Sequence, residues 1–483
     1  GKIGNWDLTL TGGHLRRKTN TESDYSDYGY FYDALSGYGA YWYDNAGDYV
    51  SPNQYIQGID RYRKSFGEFR ISSPQDASLR FIGGLFWQRQ THNIEQNYII
   101  DDIADSITVP GTDSNIWLTK QLRTDRDYAA FGELSFDVTD KLTLTGGARL
   151  YKFDNSLIGF FGYSRGYSSR TGVAACFTTT GETLRNNPTG TLAPADVAGS
   201  PCTNVDKSTS DTGAIFKLNA TYKINDDALV YATWSRGYRP GGVNRRGTLP
   251  PYGADELDNY ELGWKTNFGA FRFNGAVYKL DWNNIQLTFL GANGLSEVRN
   301  AGIARIRGVE MDVGYRAGGF SLNAGMSYND AKIRRDFCLI ANPAFDCTLP
   351  GPAGETNDLL APSGSRLPVT PKFKGNVVAR YEFPISDWNG HVQLAANHTG
   401  SRRTDLRPAQ AAIKGGLDSY TTVDFSFGVK NDLWSIEAFA TNLFDELGVV
   451  NTGVSCLETV CGDPGGGTAL GGTFYDTLIK PRI

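Results

Sequence analysis

The stretch Ala214-Ile-Phe-Lys-Leu-Asn-Ala-Thr-Tyr-Lys-Ile224 alternates apolar and polar side chains with a period of two. Ala214, Phe216, Leu218, Ala220, Tyr222 and Ile224 form one face, and Lys217, Asn219, Thr221 and Lys223 form the other. A helix gathers its apolar residues every three or four positions, so a strict two-residue period marks a strand with unlike faces. The pattern recurs along the chain. Phe373, Gly375, Val377, Ala379, Tyr381 and Phe383 oppose Lys374, Asn376, Val378, Arg380 and Glu382. Leu142, Leu144, Gly146, Ala148 and Leu150 oppose Thr143, Thr145 and Arg149. Val309, Met311, Val313 and Tyr315, and then Val423, Phe425, Phe427 and Val429, repeat the theme.

A water-soluble sandwich also alternates. Here, however, many runs reach ten or more residues, the length that crosses a bilayer at a tilt, where ordinary strands have about five or six. Aromatic residues stand at run ends, as at Phe373 and Phe383, or Tyr222 and Trp434, and suit interfacial girdles. Links alternate without exception between short and long. The short ones carry turn chemistry: Ser72–Asp76, Thr139-Asp140, Asn225–Asp227, Phe268-Gly269, Ala317–Gly319, Ser386–Asn389 and Asn431-Asp432. The long ones cover 19–55, 93–126, 156–212, 238–256, 288–298, 335–369, 403–417 and 444–473. Seven short and eight long links predict 16 strands. Short turns on one rim and long loops on the other are the plan of outer-membrane barrels. The expected fold is therefore all-β, a transmembrane antiparallel barrel.

Composition agrees. The 483 residues include 57 glycines and 61 aromatics but two methionines, which favours strands and turns over helices. Mean hydropathy is −0.37, and no run approaches the roughly 18 apolar residues of a membrane helix. A barrel strand needs apolar residues on alternate positions only, so a polar average is compatible with it. The net charge of −5 lacks the basic excess of a nucleic-acid binder.

Six cysteines fall in couples within single long loops: Cys176 with Cys202, Cys338 with Cys347, and Cys456 with Cys461. None shows a zinc-type C-x₂-C spacing, and the four histidines lie elsewhere, so three local disulfides on an oxidising surface are expected. Phosphate-binding G-x-x-x-x-G-K-[ST], H-E-x-x-H and G-x-S-x-G motifs are absent. No enzymatic activity and no cofactor is expected.

Two groups of side chains are candidates for ligand contact. The loop from Thr19 to Tyr55 holds Tyr28, Tyr30, Tyr32, Tyr41, Trp42 and Tyr43 among several aspartates. Aromatic faces with polar tips suit a ring-bearing or sugar-like ligand, and equally suit a loop stiffened by its own packing. Arg239, Arg245 and Arg246, and further on Arg402 and Arg403, lie at outer strand ends and in loops. Guanidinium groups there suit an anionic chelate or lipopolysaccharide phosphates; as plain barrel residues they would pair with Asp and Glu of the lumen.

Several stretches resemble the barrel of TonB-dependent outer-membrane receptors. They are Tyr231-Ala-Thr-Trp-Ser-Arg-Gly-Tyr-Arg-Pro-Gly-Gly242, Glu256-Leu-Asp-Asn-Tyr-Glu-Leu-Gly-Trp-Lys265, Asn300-Ala-Gly-Ile-Ala-Arg-Ile-Arg-Gly-Val-Glu310, Leu367-Pro-Val-Thr-Pro-Lys372 and Ala440-Thr-Asn-Leu-Phe-Asp445. The resemblance covers nearly the whole chain and implies a barrel of 22 strands around an N-terminal plug with a TonB-contact box. Neither plug nor box is found in residues 1–483, so the expectation is a partial barrel lacking the plug and the first strands. The family usually ends on an aromatic residue; Ile483 departs from that, so a shortened last strand is expected. The implied function is import of a scarce bulky nutrient, most often a ferric siderophore. Its partners would be outer-membrane lipid and lipopolysaccharide, and TonB through the plug. Long loops would be extracellular and short turns periplasmic. A passive 16-strand porin and a surface adhesion barrel are the alternatives.

Overall fold

The computed structural model describes residues 1–26, 42–163, 176–184, 186–245, 247, 249–290, 296–340, 346–350, 354 and 356–452. Sixteen strands form one sheet in which neighbours in sequence are neighbours in space. The order is Lys2–Ile3, Trp6–Asp24, Gln54–Ser72, Leu79–Ile100, Asn115–Asp137, Leu142–Tyr163, Val205–Asn225, Ala228–Arg239, Asp255–Phe268, Phe271–Asn283, Ala304–Ala317, Phe320–Ile333, Phe373–Ile385, Trp388–Thr399, Tyr420–Lys430 and Ser435–Ala440. All pairings are antiparallel, as Phe271↔Tyr315 and Val377↔Ala396 illustrate. Fifteen of these strands are the expected ones. The sixteenth in the structure is Lys2–Ile3, folded back through Gly4-Asn5; the strand expected after residue 473 lies outside the described residues. Among the described residues the first and last strands of the sheet do not pair with each other.

The tight links stay on one rim. Gly269 and Gly318 adopt positive φ in two-residue turns, where a side chain would be strained. The other rim carries the long links, three of which are partly ordered by small elements. Gln286–Leu290 pairs with Ser296–Asn300, Phe337–Cys338 with Leu359–Ala361, and Arg402–Arg403 with Gly416–Leu417 beside the helix Pro408–Lys414. Cys338 thus sits in a short strand, where an unstructured loop was expected.

Strands of the first half are much longer than the alternation indicated. Leu79–Ile100 and Asn115–Asp137 reduce the expected 93–126 link to residues 101–114. The excess mixes polar residues with Ile94, Ile99, Ile100, Ile116, Trp117 and Leu118 out of any steady period of two, so it shows no clean apolar phase, although its backbone pairing continues.

One face of the sheet is apolar and outward. Leu10, Leu85, Leu150, Leu218 and Leu262 are all more than half exposed on it. A water-soluble domain does not expose such a continuous apolar surface; here lipid takes the place of a core partner. True burial is displaced to the long-loop rim. Ile285, Ala301, Ala304, Ala331, Ile333, Phe337, Ala361 and Leu406 form a core beneath the loops. A second cluster of Ile94, Leu157, Phe161, Val205 and Val243 fills the polar side of the sheet.

Candidate functional site: the polar wall beneath the long loops

On the face opposite the apolar band, pairing register aligns Arg17 with Tyr62, Tyr62 with His92, and His92 with Arg123. Cross-strand partners share a face, so four residues far apart in sequence become one row. The Arg17 guanidinium lies 4.6 Å from the centre of the Tyr62 ring. Tyr62 stacks on His92 at 3.9 Å with 19° between planes. His92 Nε2 is 2.6 Å from Asp60 Oδ1. Arg123 donates to Asp125 from Nε at 3.1 Å and from Nη2 at 3.0 Å. The outward neighbours at this height are Arg89 and Thr91, beyond the last apolar residue, Trp87, so the row projects above the bilayer. Burial pushes the His92 imidazole below its ordinary value. The Asp60 carboxylate pulls it up, Arg245 and Arg123 push it further down, and the net direction is down. The neutral ring is therefore the stable form against Tyr62.

The segment after Ala228–Arg239 folds inward and brings a further cation to this wall. Gly242 bridges Tyr252, and a Cβ at Gly242 would stand 2.4 Å from the Tyr252 hydroxyl, so any larger residue would have to displace that side chain. Val243 is buried among Ile94, Leu157 and Phe161, and its amide donates to Asn155 Oδ1 at 3.1 Å. Asn244 Oδ1 accepts from the Val298 amide at 2.8 Å, and its Nδ2 donates to the Val298 carbonyl at 3.0 Å. Gln121 Nε2 donates to the Arg245 carbonyl at 3.2 Å. These bonds fix the backbone from Val243 through the carbonyl of Arg245, whose Nη1 donates to Gln96 Oε1 at 3.1 Å. The Arg245 guanidinium keeps contact with solvent but stands among Tyr98, Asp60, Arg123 and Tyr62, and the surrounding protein pushes it below its ordinary pKa.

The other residues singled out from sequence have different situations. Arg239 is committed to Asp255 at 2.5 Å, to the Gln286 carbonyl at 2.9 Å and to the Trp282 ring at 5.7 Å. Arg402 is buried, donates to the Val449 and Asp418 carbonyls, and lies over the Tyr420 ring. Both brace the long-loop rim. Arg403 is partly exposed, and its backbone pairs with Gly416. Trp42 and Tyr43 stand at the end of the first long loop, tied down by the Ala104 amide on the Tyr43 carbonyl at 2.7 Å and the Val50 amide on the Trp42 carbonyl at 3.0 Å. Tyr28, Tyr30, Tyr32, Tyr41 and Arg246 lie outside the described residues. Cys176 is bonded to Cys202 and Cys338 to Cys347, while Cys456 and Cys461 lie outside the described residues. No group of three or more potential metal ligands occurs among the described residues.

Sequence reasoning missed Arg17, Tyr62, His92 and Arg123. Each is unremarkable alone, and only register assembles them. The available signal was phase: Tyr62 and His92 fall on the polar phase of their strands, where an aromatic side chain has no lipid to meet.

The family described as TonB dependent receptor-like, beta-barrel, matches residues 2–443. The pesticin receptor of Yersinia enterocolitica is 23% identical over 397 residues, which is 80% of this chain and 47% of that protein. The chain thus spans about half the length of the curated relatives it matches. Among solved structures, the ferric yersiniabactin uptake receptor FyuA from Yersinia pestis superposes with a TM-score of 0.65 at 18% identity, covering 94% of this chain and 56% of its own. The siderophore receptor PiuA from Acinetobacter baumannii gives 0.61 at 13% identity, covering 93% and 59%. At these identities the superpositions speak for the fold.

Proposed function

Because the chain belongs to the TonB-dependent receptor-like β-barrel family, we propose that the protein containing it is an outer-membrane receptor that imports a ferric siderophore. The plug, its TonB-contact box and the remaining barrel strands belong to the rest of that protein, and movement of the plug is the energy-coupled step. The long-loop rim faces outward and the short turns face the periplasm. The observation that carries the ligand class is the wall. Arg245 is presented by a braced inward segment beside the stacked Tyr62 and His92, with Arg17 and Arg123 at the ends of the same row. Rings and guanidinium groups meet the organic, anionic envelope of a chelate; guanidinium pairs with carboxylate or catecholate oxygens, and the rings stack. The proposal includes Trp42 and Tyr43 as further ligand contacts, and keeps Tyr28, Tyr30, Tyr32 and Tyr41 as candidates on their chemistry alone.

The test is ligand binding to the full-length receptor in detergent, followed by quenching of intrinsic fluorescence across ferric catecholates, ferric carboxylates and ferric phenolates. One class should bind at micromolar concentration or tighter. Arg245→Ala and Tyr62→Ala should each weaken it about tenfold, the loss of roughly one charge-assisted or stacking contact. Unchanged binding in both variants would remove the wall from the ligand's path.

A further inference from the structure

The strand Val205–Asn225 has one edge that its neighbour leaves open. On one side its upper half pairs without a break with Leu142–Tyr163, from Leu150↔Ala214 to Gly159↔Val205. On the other side the ladder with Ala228–Arg239 ends at Lys217↔Ser235. Above that point Arg236 to Arg239 continue their pairing with Asp258 to Asp255 of the next strand. Side chains make the split. Tyr151 lies over Gly213, where a Cβ would stand 2.4 Å from its hydroxyl, and it stacks on Tyr238 at 3.5 Å with 7° between planes. Arg236 is held by Asp258 at 2.8 and 2.9 Å and by Glu256 at 3.3 Å. The top of Ala228–Arg239 is thereby drawn to the polar side of the sheet and away from residues 208–214.

Ladder parity gives the direction of the open groups. The Lys223 amide donates to the Lys141 carbonyl at 2.8 Å, so the odd-numbered residues turn their N–H and C=O groups toward Leu142–Tyr163. Ser208, Ser210, Thr212 and Ala214 turn theirs to the open side. The Thr212 amide is closed locally, on Asp211 Oδ1 at 2.8 Å. No main-chain partner for the others occurs among the described residues. Natural edges are blunted by lysine, proline, a bulge or a covering element. Residues 208–216 contain no lysine and no proline, and their register with Leu142–Tyr163 is unbroken. Ser208, Ser210, Asp211 and Thr212 are exposed. The edge also stands above the bilayer: past the apolar pair Leu150↔Ala214, the outward pairs are Lys152↔Thr212 and Asp154↔Ser210.

We propose that this edge docks an extended segment of a partner polypeptide, added as a further antiparallel strand along residues 206–214. An edge of this kind repeats its donors and acceptors about every 7 Å, a spacing that another extended backbone matches and a compact chelate does not. The side chains state the partner's chemistry. Asp206 and Asp211 are exposed and form no ion pair among the described residues. A directly opposed Lys or Arg complements each, so the segment carries two basic residues five positions apart. Between them it meets Ser208, Thr209 and Ser210, which suit Thr, Ser or Val as cross-strand partners. The edge is separate from the ligand wall, and a partner reaches it from outside the cell in the orientation proposed for the long-loop rim.

The test is fluorescence anisotropy of a labelled peptide, Thr-Val-Lys-Thr-Val-Thr-Val-Lys-Thr with blocked ends, titrated with the full-length receptor in detergent. Its two lysines fall opposite Asp211 and Asp206 in the antiparallel register. The peptide should bind saturably. N-methylation of the residues opposite Ser208, Ser210 and Thr212 should weaken binding about tenfold or more, because it removes main-chain donors aimed at the edge. N-methylation of the intervening residues should leave affinity within about twofold, since those amides point away. Asp206→Lys/Asp211→Lys should weaken the lysine peptide about tenfold and favour a copy with glutamates in their place; both positions are exposed, so the variant keeps its fold. No saturable binding, or equal loss from both methylation patterns, would overturn the proposal. So would hydrogen-exchange protection at Ser208 and Ser210 before peptide is added, which would show the edge already covered by the receptor itself or by a second copy.

Discussion

Val377→Arg probes the membrane-facing side at a position whose depth can be worked out. The strand Phe373–Ile385 has 13 residues and begins at an exposed aromatic. At about 3.3 Å per residue and about 40° of tilt, the four steps from Phe373 to Val377 descend about 10 Å along the bilayer normal. With an apolar band about 25 Å tall, Val377 lies within a few ångströms of the midplane. Its cross-strand neighbours are Ala324 and Ala396, which offer a guanidinium neither a partner nor cover. The expected penalty is about 2–4 kcal/mol, which is about 30- to 1,000-fold in the folding equilibrium. Asn376, one residue away, points to the polar side opposite Gly325 and Asn397, so Asn376→Arg should cost no more than about 1 kcal/mol, the size of an ordinary surface change. The assay is urea titration of the full-length protein folding into phosphocholine vesicles, followed by tryptophan emission and heat-modifiable gel mobility. Equal penalties at the two positions would refute the facial assignment.

Three shorter predictions follow from other parts of the structure. Gly263→Val should destabilise by about 1–3 kcal/mol in the same titration, because a Cβ there meets the Tyr231 ring at 2.4 Å and would drive its hydroxyl off Glu261; Tyr231→Ala should rescue part of the loss. Asp405 is buried between Arg407 and Lys414 at 2.8–3.2 Å; burial raises its pKa, the two cations lower it more, and the net direction is down. It therefore stabilises its loop at every pH above the ordinary carboxyl value of about 3.9 and loses that contribution as pH falls through the lower folded value. Hydrogen-exchange protection factors at 402–417, taken relative to the intrinsic rate at each pH, should stay flat from pH 7 to about 4, whereas Asp405→Asn should lower them even at pH 7. Unreduced peptide mapping should recover Cys176 linked to Cys202 and Cys338 linked to Cys347; free thiols at these positions would contradict the pairing.

How much of this was legible in the sequence depended on whether lipid contact left its mark. Within Val205–Asn225, the half from Ala214 to Ile224 alternates because one side meets hydrocarbon, and it was read correctly. The half from Val205 to Thr212 lies beyond the bilayer, is polar on both faces and reads as loop, although it pairs residue by residue with the strand Leu142–Tyr163. Rim assignment was legible because turn chemistry is local. The polar wall was not, because Tyr62, His92 and Arg123 meet through register set over tens of residues. Arginines chosen for their loop positions divided accordingly: Arg239 and Arg402 have local carboxylate or carbonyl partners that hold them, whereas Arg245 is held by its backbone and keeps its side chain available. Arg17 was illegible as part of the wall because a run such as Arg16-Arg17-Lys18 looks like one solvated stretch until alternation divides it between two faces.

The central claim, an energy-coupled receptor for a ferric chelate, is tested most directly by uptake of radioactive iron. Cells lacking their own siderophore receptors and carrying only the full-length protein are supplied with the chelate class selected in the binding experiment, with and without a functional TonB. The account predicts accumulation that requires TonB and falls about tenfold in Arg245→Ala cells at subsaturating chelate. Accumulation that is the same without TonB, or none above cells lacking the protein, would contradict it.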